Sequence, residues 1–150
     1  LGELIAKTRE AGAKVQLIAD GDVAGVIATS RGANADIYMG IGGAPEGVLA
    51  AAALQCIGGQ FQGRLIFEQD SERERAKRMG ISDLNKKYTL CELASGDVMF
   101  AATGVTDGSM LEGVKCGQGW ATTHTIIMRS KTGTVRTIKA EHYFDRKDAV

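Results

Sequence analysis

The chain has 150 residues, 44% hydrophobic and 24% charged, which is about one domain's length with enough apolar surface for a core and excludes a disordered chain. The 18 Lys and Arg offset the 18 Asp and Glu, so no global positive field exists to hold nucleic acid or an anionic membrane surface. Glycine stands at 20 residues against one proline, and aromatics at 5%, so the backbone turns tightly and the packing relies on aliphatic side chains.

Leu1, Leu4, Ile5 and Thr8 mark one helical face, which Gly12 ends. The first residue is Leu and already lies in this helical pattern, so a piece of a longer chain is expected. Lys14–Ala19 alternates and is β-branched, which predicts a strand; Asp20-Gly21-Asp22 predicts a sharp turn. Val23–Ser30 predicts a helix closed by Gly32. Asp36–Met39 predicts a second strand, entering the glycine-rich turn Gly40–Gly43. Pro45 sits where a missing N–H costs nothing, so a helix opens there, covers Glu46–Cys56 and stops at Gly58-Gly59. Strand–turn–helix twice over predicts parallel strands with crossover helices.

Gln62–Phe67 predicts a short strand. Residues 68–87 carry charges of both signs, a solvated helix face with Ser71 as its cap, followed by a linker at Asp83–Lys87. Thr89 caps a short helix to Ala94, and Asp97–Thr103 predicts a buried strand breaking at Gly104–Gly108. Trp120–Arg129 and Thr134–Tyr143 alternate around a hairpin turn at Lys131-Thr132-Gly133. The fold class is therefore α/β, a layered αβ sandwich with a mixed sheet.

Cys56, Cys91 and Cys116 are odd in number and lack zinc spacing, so reduced thiols in a cytoplasmic setting are expected. No apolar run approaches the ~18 residues of a membrane span. No membrane and no nucleic-acid partner is expected.

In open α/β sheets the ligand crevice lies beyond the carboxyl ends of the strands. Three loops fall there: Asp20–Asp22, Gly40–Glu46 and Thr103–Gly108. Asp20 and Asp22 flank a glycine and can both face one crevice, suiting sugar hydroxyls or a divalent cation; equally, Asp22 can cap the next helix while Asp20 shapes the turn. In Gly40-Ile-Gly-Gly-Ala-Pro-Glu-Gly47 the dinucleotide pattern GxGxxG fails, because Pro45 replaces its third glycine. Glu46 in the first helical turn repels a bare phosphate and would favour one bridged by Mg²⁺ or Mn²⁺; it can also simply complement the helix dipole. Thr106 and Asp107 line a site or only a turn. His124 shares a strand face with Trp120, Thr122 and Ile126 and reads as structural, and His142 has no evident partner.

Asp20-Gly-Asp-Val23, Gly40–Gly47, Arg78-Met-Gly-Ile81, Ala101–Gly108 and Ser130-Lys-Thr-Gly-Thr-Val135 closely resemble the bacterial class II fructose-1,6-bisphosphatases, of the lithium-sensitive, metal-dependent sugar phosphatase superfamily. The likeness covers nearly the whole chain, to about His142. It implies an αβαβα sandwich of which residues 1–150 are the C-terminal αβ portion, with the N-terminal portion of the same enzyme absent. It implies that Asp20, Gly21, Asp22 and Gly43 contact the sugar phosphate and that Glu46 ligates Mn²⁺ or Mg²⁺ near the scissile 1-phosphate. The other metal ligands, the threonine that assists attack and the grip on the distal phosphate would lie outside these residues. The implied activity is hydrolysis of fructose 1,6-bisphosphate to fructose 6-phosphate in gluconeogenesis and glycerol metabolism, by a homo-oligomer. A different class of function is an inactive binding or assembly piece; a nucleotide-binding domain is a further alternative, weakened by the failed glycine pattern.

Overall fold

A computed structural model describes residues 2–30 and 34–146. In chain order these form α1 (Gly2–Glu10), α2 (Asp22–Ile27), α3 (Ala44–Ile57), β1 (Gln62–Gly63), α4 (Asp70–Arg78), β2 (Tyr88–Thr89), α5 (Leu90–Leu93), β3 (Met99–Thr103), β4 (Lys115–Gly117), β5 (Trp120–Arg129), β6 (Thr134–Tyr143) and a 3-10 turn at Phe144–Arg146. Leu1 and Gly32, named above as helix boundaries, lie outside the described residues.

The sheet grows around β5. The tight turn with Gly133 at φ 57° folds β6 back along its whole length, from Arg129 opposite Thr134 to Trp120 opposite Tyr143. The other side of β5 is shared: β3 pairs with Thr125–Arg129 and β4 with Trp120–Thr122. β4 carries no alternating signal, being three residues with a glycine among them, and was not expected. A separate two-stranded ladder joins β1 to β2.

Because side chains alternate across a strand, the register puts Phe100, Met128 and Ile126 on one sheet face. That face meets α3. Ala53 and Cys56 pack with Phe100 and Met128, and Val23, Ile27 and Ile57 close around them. Cys56 Sγ also contacts the Val98 carbonyl at 3.6 Å. A second cluster links Val26 of α2 to Ala50 and Leu54 of α3, with Tyr38 and Phe61 against it. Small alanines on α3 let the helix lie close to both neighbours, which is the packing role of its Ala-rich sequence.

The opposite sheet face carries Met99, Ile127 and Ile138, and Met99 stays 71% exposed. The parallel strands expected at Lys14–Ala19 and Asp36–Met39 do not form. Every ladder among the described residues is antiparallel, and these two segments run without strand partners. Alternation and β-branching say that a run suits a pleated, half-buried surface; a ladder also needs a neighbouring edge. None is offered to them within the described residues, and Leu17 and Ile37 are left 64% and 68% exposed. The mixed αβ architecture stands, with an antiparallel sheet.

Smaller expectations change too. The α4 cap is Gln69, not Ser71: the Glu72 carboxylate turns back to accept the N–H groups of Glu68 and Gln69. Those bonds hold the Glu72 carboxyl below its usual range. Thr89 does open α5, with Glu92 accepting its N–H and hydroxyl. All three cysteines are free, with Cys56 buried. Among the described residues, no helix is long and apolar enough to cross a membrane.

Candidate functional site

The candidate site is assembled at the start of α2 and of α3. Gly21 takes φ 85°, a conformation that L side chains rarely adopt, and this turns the chain sharply between the two aspartates. Asp20 Oδ1 accepts the Gly21 N–H at 2.7 Å and is exposed. Asp22 is the first residue of α2, and Gly21 before it holds the N-cap position. The Asp22 carboxylate reaches across to the segment before α3. Tyr38 Oη donates to Asp22 Oδ1 at 2.8 Å, over a separation of sixteen residues. Gly21 rather than Asp22 is thus the residue that caps α2, while the Asp20–Gly21 bond shapes the turn as expected.

The glycine-rich loop lies over these groups. A Cβ on Gly42 would sit 2.5 Å from Asp22 Oδ2, and one on Gly40 would sit 2.5 Å from Tyr38 Oη. A Cβ on Gly43 would overlap Glu46 Oε2. Three glycines thus admit three polar side chains close to the backbone, a use of glycine that does not depend on unusual φ. Gly43 is the N-cap of α3 in extended conformation, Pro45 follows in the first turn, and Glu46 stands in that turn beside the helix's positive end. The loop is bracketed by one carboxylate from α2 and one from α3.

Burial pushes the Tyr38 phenol up to about 12, and the bond to Asp22 and its charge push the same way. The folded pKa exceeds the unfolded value of 10.0, so the stability tied to the protonated phenol is complete below pH 10 and lost as pH rises towards 12. An unfolding series over that range should show an extra fall for the native chain relative to Tyr38→Phe. Parallel curves would remove the phenol from the account.

The third loop does not join this group through any described bond. Residues 104–114 close on themselves: the Gly113 N–H donates to Asp107 Oδ1 at 2.8 Å, and Gly108 bonds Leu111 through the backbone. Asp107 therefore serves as a loop closure. His124 pins the same loop. Its carbonyl accepts the Gly104 N–H, and its Nδ1 accepts the Glu112 N–H at 3.0 Å, so the proton of the neutral ring sits on Nε2. Glu112 in turn pairs with Lys139 at 2.5 Å, and that cation holds its carboxyl below the usual range. His142 finds a partner in the Thr123 hydroxyl, 3.1 Å away.

Two cavities lie away from the glycine loop. One, of about 330 Å³, is lined by residues including Glu112, Lys115, Lys139 and Glu141. The other, of about 190 Å³, is lined by Gln62, Gly63, Arg64 and Lys87. Asp20, Gly40–Gly43 and Glu46 are exposed, and Asp22 and Tyr38 are half-buried. These carboxylates do not make a metal centre: among the described residues no three or more His, Cys, Asp or Glu side chains gather to hold an ion. Tyr38 is the residue that sequence reasoning passed over. Its only signal is an aromatic side chain two residues before the glycine run.

Comparison with known proteins matches residues 2–142 to the family described as "Bacterial fructose-1,6-bisphosphatase, glpX-encoded". Among curated relatives, the chain is similar to a D-fructose 1,6-bisphosphatase class 2/sedoheptulose 1,7-bisphosphatase of Synechococcus elongatus, 43% identical over 95% of the chain and 46% of the relative. A protein of the same description from Crocosphaera subtropica is 45% identical over 93% of the chain and 45% of the relative. The chain thus spans about half the length of the curated relatives it matches.

Proposed function

Because the chain belongs to the bacterial fructose-1,6-bisphosphatase family, we propose that it is the C-terminal αβ portion of a phosphatase that releases the 1-phosphate of fructose 1,6-bisphosphate. The observation that carries this reading is the glycine loop held between Asp22 and Glu46, with glycine wherever a Cβ would strike a site side chain. A sugar phosphate needs close approach to backbone, hydroxyl acceptors to one side, and negative-charge handling at the other. Asp20 and Asp22 are the acceptors, and Gly21 and Gly43 keep the backbone approachable. Fixing the furanose in this way orients the 1-phosphate without breaking bonds.

Glu46 is assigned to the phosphate end, as one ligand of Mn²⁺ or Mg²⁺. Such an ion would supply neutralisation of phosphate charge and a more acidic bound water. A single carboxylate does not hold it, and the described residues do not fit a complete centre. The other ligands are assigned to the N-terminal portion of the same enzyme. The 150 residues alone are then inactive, and the exposed Leu17, Ile37 and Met99 are surface that the remainder, or a second copy in a homo-oligomer, would cover. The free cysteines fit the cytoplasm.

The relatives' names include a second substrate, sedoheptulose 1,7-bisphosphate, one carbon longer. Hydroxyl contacts from Asp20 and Asp22 suit either sugar, so this chain does not discriminate between them. Phosphate release from fructose 1,6-bisphosphate in the presence of Mn²⁺ tests the whole reading. The chain alone should show none, and the chain joined to an N-terminal portion of the relatives' kind should show turnover. Turnover by the chain alone would refute its dependence on that portion. Silence of the joined protein, folded by circular dichroism, would leave a binding or assembly piece.

A further inference from the structure

We propose that Tyr38 is a positioning residue for sugar recognition, aligning the Asp22 carboxylate through its phenol; this rests on the reading of Asp22 as a sugar-hydroxyl acceptor. Asp22 sits at the first position of a six-residue helix whose N-cap is Gly21, so its side chain is not the helix cap. A carboxylate in that place rotates freely unless something outside the helix holds it. Tyr38 is the group that does so, donating to Oδ1 at 2.8 Å. Oδ2 is left against Gly42, on the side of the glycine loop. The bond therefore divides the carboxylate into one oxygen engaged by protein and one offered beside the loop.

The phenol is itself held from several directions. The ring packs against the Val26, Ala50 and Leu54 cluster. It passes between two glycines: a Cβ at Gly25 of α2 would lie 2.9 Å from Tyr38 Cε2, and a Cβ at Gly40 would lie 2.9 Å from Cζ. A side chain at either position would push the ring aside. The apolar core thus fixes the ring, the ring fixes the hydroxyl, and the hydroxyl fixes Asp22. A charge-assisted bond of this kind is among the stronger side-chain contacts.

Tyr38→Phe keeps the ring and removes only the oxygen. In the full-length enzyme carrying this chain, KM for fructose 1,6-bisphosphate should rise about tenfold while kcat stays within about twofold. Asp22→Asn should raise KM at least as much, and the double variant should be no worse than Asp22→Asn alone, because Tyr38 acts through Asp22. A merely structural tyrosine would lower the melting temperature and kcat together and add its effect to that of Asp22→Asn. If Asp22→Asn raises KM and Tyr38→Phe does not, the positioning role fails and the sugar contact stands. If Asp22→Asn leaves KM unchanged, the sugar contact fails and the positioning role with it.

Discussion

Replacing Gly113 by alanine is expected to destabilise the chain by about 3 kcal/mol, the upper end for forcing a methyl group into a packed site. Gly113 is buried, and its added Cβ would lie 2.7 Å from both Asp107 N and Thr106 C. These are backbone atoms of the loop that Gly113 itself closes by donating to Asp107, so relief requires the loop to open. Gly104 faces the same loop from the other side, its Cβ position overlapping the Glu112 carbonyl oxygen. Opening the loop would also release Glu112 from His124. Urea unfolding checks this: a loss of that size against a domain stability of roughly 5–15 kcal/mol is a large displacement of the midpoint. Gly47 supplies the contrast. It lies inside α3 with nothing within 4 Å of an added Cβ, so Gly47→Ala should gain about 0.5–1 kcal/mol through helix propensity. Equal effects at both positions would mean that loop crowding does not govern the glycine content.

The second large effect concerns turnover. In the full-length enzyme, Glu46→Gln is expected to lower kcat on the order of 100-fold while changing KM little, the pattern of a charge needed at the reacting end rather than for sugar binding. Glutamine keeps the size and loses the charge. Glu46 stands in the first turn of α3, so an electrostatic role in the helix alone would also be lost, but that costs ~0.3–1 kcal/mol of stability and no kcat. Measuring kcat and urea stability on the same variant separates the two. An unchanged kcat with a slightly lower midpoint would make Glu46 a helix-end residue and remove it from the phosphate site.

Much of the local structure was legible along the chain. Period-two alternation and a turn glycine marked β5 and β6 to their ends, and Pro45 with Gly58 bounded α3 closely. Thr89 announced the α5 cap, to which the structure adds Glu92. These signals are local: each depends on residues a few positions apart. The failures came where a partner was needed. Lys14–Ala19 and Asp36–Met39 have the composition of strands yet meet no edge among the described residues, and β4 has no strand composition yet pairs with β5 because Lys115–Gly117 is placed opposite Trp120–Thr122.

The site divides in the same way. The chain's residues alone marked Asp20–Asp22 and Gly40–Glu46 as loops able to carry chemistry, since glycine beside carboxylate is visible without coordinates, and its motifs marked the family. Only the tertiary structure separated the loops, joining the first two through Tyr38 and turning the third, with Asp107, into a self-closed element pinned by His124. The Tyr38–Asp22 bond spans sixteen residues and depends on the packing of α2 against α3. No spacing rule reaches that far, because the distance between two side chains on different elements is set by the core between them and not by the chain that connects them.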